Sequence, residues 1–251
     1  MKPSYRQEKI MEMLSTNLEV NVLELSQLFK VTDETIRRDL NNLEKENKVI
    51  RTHGGAKLIS NRKNEVPIEI RKDIFKENKD TMAKICVNYI NNGDVIFLDA
   101  STTVYHILDF LPPEANVTIV SNSLAILSHA SKLKIKKLIM LGGEYDALTN
   151  SFIGVETIEQ ADKIYFDKAF ISCRGINFDS ITDANIEQAN LRSKVFNHAS
   201  RLFLVADHTK FNITSMYKIK DLKCINHIIT DKTPILKWKN HLNNLNIKVE
   251  Y

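Results

Sequence analysis

The sequence predicts an α/β chain in two parts: a small winged helix-turn-helix module, then a larger domain on a mostly parallel sheet. Three observations predict it. Near the start, amphipathic helical stripes with capping residues precede two β-prone runs around a Gly-Gly pair. Beyond residue 90, short apolar runs of strand length alternate with helical spacings. Between them, residues 60–67 are polar and close on Pro67, which reads as a linker.

A chain of 251 residues has room for two ordinary domains. Apolar residues at 43% and charged residues at 26% exclude extended disorder. No run approaches the ~20 apolar residues of a membrane span. The start, Met1-Lys2-Pro3-Ser4-Tyr5-Arg6, lacks the apolar core of a signal peptide. Cys86, Cys173 and Cys224 are widely spaced and form no CxxC, so neither a disulfide framework nor a zinc site is supported. His106, His129, His198, His227 and His241 show no metal-like spacing. The expectation is a cytoplasmic chain with free thiols, no metal, no cofactor and no membrane partner. A net charge of +4 admits an anionic partner without requiring one. We divide the chain into a module over 1–58, a linker over 59–74 and a domain over 75–251.

In the module, residues 5–16 carry Ile10, Met11, Met13 and Leu14 on one helical face. Asn21 caps a second helix, expected to bury Val22, Leu25, Leu28 and Phe29, with Glu24 completing a capping box. Thr32 caps a third, whose buried stripe is Ile36, Leu40 and Leu43. Two short helices joined by a tight turn form a helix-turn-helix. The runs 49–52 and 56–59 flank Gly54-Gly55 and read as a hairpin wing. In such a module the third helix enters the DNA major groove with its N-terminal residues toward base edges. Thr32, Glu34, Thr35, Arg37 and Arg38 are therefore the expected DNA face, with Arg51, His53 and Gly54 on the wing. A solvated helix surface is the alternative for Arg37-Arg38. Residues 1–60 hold 10 Lys/Arg against 9 Asp/Glu, so only the local cluster is basic.

In the large domain, buried strands are expected at 95–98, 117–120, 137–141, 169–172, 202–206 and 225–230. Ligands of parallel sheets bind beyond the carboxyl ends of the strands. The residues there are Asp99, Ser101, Thr102 and Thr103; Ser121 and Asn122; Gly142 and Gly143; Arg174 and Gly175; and Lys210. Backbone N–H groups at a helix start favour an anion, and Lys210 adds a point charge. Asp99 or Asp183 suits a sugar hydroxyl. Taken singly, each serine-threonine run is a helix cap, Gly142-Gly143 a tight turn and Lys210 a surface lysine. Repetition at several strand ends carries the ligand reading. No GxGxxG follows the first strand and no GxxxxGK[ST] occurs, which argues against a nucleotide enzyme.

The run Thr35-Ile36-Arg37-Arg38-Asp39-Leu40-Asn41-Asn42-Leu43-Glu44, followed by His53-Gly54-Gly55-Ala56, closely resembles the DeoR-type repressors. The resemblance continues through Asp99-Ala100-Ser101-Thr102-Thr103, Ser121-Asn122-Ser123, Leu141-Gly142-Gly143 and Ala206-Asp207-His208-Thr209-Lys210-Phe211. Ser101 stands where the family has glycine. The resemblance implies a bacterial transcriptional regulator, usually a repressor of a sugar-utilisation operon. It further implies a Rossmann-like effector domain related in fold to ribose-5-phosphate isomerase. The implied partners are double-stranded operator DNA, a phosphorylated sugar and further copies of the chain, as dimer or tetramer. It implies binding without turnover, hence no catalytic residue. The alternative is a sugar-phosphate isomerase with a DNA-binding appendage, for which Asp99, Asp183 and Glu187 are the available bases.

Overall fold

Residues 2–17, 19–46, 48–58 and 68–251 are described by a computed structural model, in which the chain divides into two units, Met1–Lys76 and Glu77–Tyr251. Residue 59 and the polar stretch 60–67 lie outside the described residues. In the first unit, α1 (Pro3–Asn17) leads into β1 (Glu19–Asn21), α2 (Val22–Phe29) and α3 (Asp33–Lys45). The hairpin β2 (Val49–Arg51) and β3 (Gly55–Leu58) follows, then a short α4 (Ile68–Asp73).

The caps stand where the sequence puts them. Asn21 accepts from the Leu23 N–H at 2.8 Å, and Thr32 accepts from the Thr35 N–H at 3.3 Å. Lys30 closes α2 in a left-handed conformation (φ 53°), which sets the tight turn into α3. Ile10, Leu14, Leu25, Ile36 and Leu40 are fully buried. Leu28 departs from expectation: it is 58% exposed. On a helix turning about 100° per residue, Val22, Leu25, Ser26 and Phe29 share one face and Leu28 falls beside it.

The wing has three strands rather than two, in the antiparallel order β1-β3-β2. Gly55 lies where a Cβ would stand 1.8 Å from the Val20 carbonyl oxygen, so only glycine lets β1 approach. Ile70 and Ile74 pack into this same core. The expected linker over 59–74 therefore ends in a helix that belongs to the first unit.

The second unit opens with α5 (Lys76–Val87), β4 (Val95–Leu98), α6 (Thr102–Tyr105) with a 3₁₀ turn His106–Asp109, and β5 (Thr118–Ser121). Next come α7 (Leu124–Lys132), β6 (Lys137–Met140), the hairpin β7 (Glu144–Asp146) and β8 (Ser151–Ile153), and α8 (Val155–Ala161). Then follow β9 (Phe166–Ile171), β10 (Gly175–Ile176), β11 (Ser180–Asp183), α9 (Ile186–Phe196) and β12 (Ala199–Val205). The chain closes with β13 (Tyr217–Asp221), β14 (His227–Ile229), α10 (Leu236–Asn244) and β15 (Lys248–Glu250).

Seven strands form a parallel sheet in the order β15-β14-β12-β9-β4-β5-β6. Side chains alternate between two cores. Phe97, Ala169, Ile171 and Leu204 face α8, α9 and α10; Ile96, Leu98, Phe170 and Phe203 face α5, α6 and α7. From β4 the order runs one way to β5 and β6, and the other way through β9. The topological switch therefore lies between β4 and β9, and ligands of such sheets bind beyond the carboxyl ends at that point. A smaller antiparallel sheet, β10-β11-β13, stands apart from the main one. Among the described residues no helix is long and apolar enough to cross a membrane.

A buried ion pair joins α1 to α3: Arg6 Nε donates to Asp39 Oδ2, and Gln7 Nε2 donates to Asp39 Oδ1 at 3.2 Å. We expect Asp39→Ala to destabilise the first unit by about 3–5 kcal/mol, because it takes from the buried Arg6 guanidinium the carboxylate that faces it on α3. Arg6→Met combined with Asp39→Leu should cost less than Asp39→Ala alone. Hydrogen exchange of the α1 and α3 amides in the full chain checks both.

Candidate functional site

The DNA-facing candidates divide by environment. Thr32, Glu34, Arg37 and Arg38 are exposed along the first half of α3, opposite the stripe of Ile36, Asp39 and Leu40. Thr35 is half-buried, its hydroxyl 2.9 Å from that of Thr32. His53 and Gly54 are exposed at the tip of the wing. Arg51 is placed differently. Its Nε donates to the Gly55 carbonyl at 3.0 Å and its Nη1 to the Arg37 carbonyl at 3.3 Å and to Asn41 Oδ1. Its backbone N–H reaches Glu44 Oε1 at 3.1 Å. Arg51 thus braces the wing against α3 and does not reach outward.

In the second unit the centre of the switch point is Asp99, which follows β4 and is 1% exposed. Its Oδ1 accepts from the Ser101 N–H at 3.1 Å and the Ser101 hydroxyl at 2.5 Å. Its Oδ2 accepts from the Ser172 N–H beyond β9 at 3.0 Å and from Arg192 Nε at 2.8 Å. Arg192 Nη1 continues to Asp183 Oδ2, and Asp183 Oδ1 accepts from the Asn185 N–H at 3.1 Å. Burial opposes the Arg192 charge, but Asp99 and Asp183 outweigh it and hold the guanidinium protonated.

Around this centre the other rim residues gather. Thr102 and Thr103 are buried, and Lys79 Nζ, itself on a residue 5% exposed, donates to Thr102 Oγ1 at 3.1 Å. Ser121 and Asn122 are fully buried. Asn122 Nδ2 donates to the Phe152 carbonyl at 2.8 Å, while its buried Oδ1 accepts no hydrogen bond from the described residues. The Gly142 carbonyl accepts from Thr157 Oγ1 at 2.8 Å, and Gly143 adopts φ 150° where a Cβ would meet Thr157 Oγ1 and the Ile153 carbonyl. Lys210 Nζ lies 4.0 Å from Asp207 Oδ2. Burial pushes the Asp207 carboxyl up, but Lys210 and the Thr209 hydrogen bonds prevail and hold it below its ordinary value. Burial pushes the Cys173 thiol up, and the charges of Lys210, Asp183, Arg192 and Asp207 all bear on it.

Arg174 and Gly175 lie where the small antiparallel sheet begins. Arg174 is exposed, with its N–H on the Thr182 carbonyl at 3.0 Å, and Gly175 opens β10 with the Ile213 backbone against it. Both serve the small antiparallel sheet.

Sequence reasoning missed Lys79 and Arg192. A signal was present. Lys79 shares the buried stripe of Met82, Ala83 and Cys86, and Arg192 that of Gln188, Val195 and Phe196. A cation on the apolar face of a helix stays buried only with a partner.

Two other features are not ligand sites by their geometry. A cleft of about 220 Å³ lined by Gly93, Asn116 and Lys137 lies at the amino ends of β5 and β6, the end of the sheet opposite the switch point. Asp80, His106 and Asp109 cluster, but His106 Nδ1 stands 2.7 Å from Asp80 Oδ1, the separation of a shared proton. Two ligands of one ion at ~2.1 Å and a right angle or wider stand ~3.0 Å apart or more.

Comparison with known proteins places two family models on the chain. One, the DeoR-like helix-turn-helix domain, matches residues 6–62; the other, the DeoR C terminal sensor domain, matches residues 74–232. The L-fucose operon activator of Escherichia coli (strain K12) is 31% identical over 92% of this chain and 96% of its own. The glycerol-3-phosphate regulon repressor of the same strain is 29% identical over 100% of this chain and 99% of its own. The HTH-type transcriptional repressor GlcR of Bacillus subtilis (strain 168) is 30% identical over 92% and 90%. Among solved structures, a ribose 5-phosphate isomerase from Methanocaldococcus jannaschii matches 55% of each chain at 17% identity, with a TM-score of 0.41.

We expect Arg192→Leu to destabilise the second unit by about 3–5 kcal/mol, because two buried carboxylates lose their shared cation. Arg192→Lys should recover little of this, since a single ammonium does not replace a planar fork that serves two carboxylates. Thermal unfolding of the full chain at neutral pH checks both variants.

Proposed function

Because the chain belongs to the DeoR-type family of transcriptional regulators, we propose that it represses a sugar-utilisation operon and leaves its operator when a phosphorylated sugar occupies the switch-point rim. The observation that carries the effector reading is the Lys79 ammonium, buried against Thr102 Oγ1 beside Asp99 and Ser101. A cation and hydroxyls that already face one another replace the water around a phosphate dianion at little reorganisation. Lys210 adds charge from the far side of β9. The unpartnered Asn122 Oδ1 suits a sugar hydroxyl as donor, because a buried acceptor left unmade costs about 1–3 kcal/mol. Asp99 and Asp183 are committed to Arg192, so they position the pocket and do not serve as bases.

On the DNA side, the exposed Arg37 and Arg38 near the start of α3 support a major-groove reading, with Thr32, Glu34 and Thr35 beside them and His53 and Gly54 reaching from the wing. Paired half-sites call for at least a dimer, and a chromosomal target for a cytoplasmic address. The repressor direction follows the names of two relatives; the L-fucose operon activator sets the opposite direction as the second reading. Transcript levels in a deletion strain decide between them: operon expression rises if the chain represses and falls if it activates.

Arg37→Ala and Arg38→Ala should weaken binding to a duplex selected from a random pool by the full chain. A side chain that reads a base should cost about 1–3 kcal/mol, specific to sequence; one that touches only phosphate should give a uniform loss and a shallower salt slope. Unchanged affinity in both variants overturns this DNA face. Competition binding at two salt concentrations measures it.

Thr102→Val, Lys79→Met and Lys210→Ala should keep duplex affinity yet need on the order of tenfold more sugar phosphate for release, one charge-assisted contact being lost in each. The titration uses the triose, pentose or hexose monophosphate that most raises the thermal midpoint of the full chain. Release at wild-type concentrations in all three places the phosphate elsewhere.

A further inference from the structure

Three consecutive side chains in the first turn of α5 grip three separate parts of the rim. Asn78 Nδ2 donates to Asp231 Oδ2. Asp231 holds His208 twice: the His208 backbone N–H donates to Oδ1 at 2.6 Å, and His208 Nδ1 lies 2.7 Å from Oδ2. His208 begins the 3₁₀ turn that ends in Lys210. Lys79 Nζ donates to Thr102 Oγ1 at 3.1 Å. Asp80 Oδ1 lies 2.7 Å from Nδ1 of His106, on the turn that continues α6. Successive residues of a helix diverge by about 100°, which lets one turn reach the loop after β14 and two points on the segment after β4.

The chain enters α5 at Lys76, the last residue of the DNA-reading unit. We propose that this first turn of α5 carries the state of the effector rim to the DNA-reading unit, with Asn78 and Asp80 as positioning residues on either side of Lys79. The proposal rests on the effector reading given above. A phosphate that takes up Lys79 and Thr102 competes with the bond between them, so the turn has one partner set in the free rim and another in the filled one. A ligand shifts an equilibrium only through such a difference between two states. Asn78 and Asp80 tie the turn to the two segments that carry Lys210 and Thr102, through Asp231 with His208 and through His106, so a rearrangement of either segment reaches α5.

The test separates coupling from binding. In the wild-type full chain, the midpoint-raising monophosphate should change the Kd for the selected duplex by about 5- to 150-fold, and the duplex should change the Kd for the monophosphate by the same factor. Asn78→Ala and Asp80→Asn should each keep both separate affinities within about twofold while that factor falls toward one in both directions. A local packing defect without a role in transmission would alter an affinity and leave the factor in place. Wild-type factors in both variants overturn the proposal. Thr102→Val checks the reading beneath it. If that variant loses monophosphate affinity while Asn78→Ala and Asp80→Asn keep the wild-type factor, the coupling fails alone. If Thr102→Val binds the monophosphate as the wild type does, the placement of the phosphate fails, and the proposal with it.

Discussion

The second unit is organised around one guanidinium. Arg192 lies within α9 and is shared between Asp99, just past β4, and Asp183, at the end of β11. Asp99 in turn takes the Ser172 N–H beyond β9. One cation thus fixes the two strands that flank the switch point, the helix over them and the smaller antiparallel sheet. Taking a cation and two carboxylates out of water costs several kcal/mol per ion, so an apolar cluster of equal volume would serve stability as well or better. What the network supplies is geometry. It orients Asp99 so that its remaining oxygen caps Ser101, and the segment Ser101-Thr102-Thr103 starts in a set direction toward Lys79.

The first unit repeats this logic at smaller scale. Arg37, Arg38 and Asp39 are adjacent in sequence and have opposite fates. A helix turning about 100° per residue sends Asp39 inward to Arg6 while both arginines stay in solvent. The inward carboxylate fixes α3 on α1 and so holds the two arginines exposed on the other face of the helix. Arg51 completes the arrangement from the wing by bonding carbonyls and Asn41 on α3. Arg51, although basic and on the wing, is thus engaged within the unit.

These two cases explain what the sequence made legible. Period 3.6 with caps located α2 and α3, and apolar runs located six strands of the main sheet, because burial on both faces of a parallel sheet demands such runs. Strands β1 and β15 escaped: each has three residues, lies at an edge and carries polar side chains, so neither leaves a pattern. The hairpin β7-β8 and the small sheet β10-β11-β13 escaped for the same reason of length and mixed burial. At the site, strand-end positions named most of the rim, yet Lys79 and Arg192 reach it from helices read only for their apolar spacing. Asp231 was likewise out of view, since its work is to hold His208, 23 residues before it, to Asn78, 153 residues before it.

The same network bears on whether Asp99 or Asp183 could act as a base. An isomerase needs a base with a free lone pair beside the carbon that loses its proton. Here both oxygens of Asp99 are engaged by four donors, and Asp183 is divided between Arg192 and the Asn185 N–H. Freeing either carboxylate would leave Arg192 buried without its full counter-charge, a state disfavoured by several kcal/mol. Two of the three carboxylates that the sequence offers as bases, Asp99 and Asp183, are thus ones the fold depends on at the switch point, while Glu187 stands outside that network.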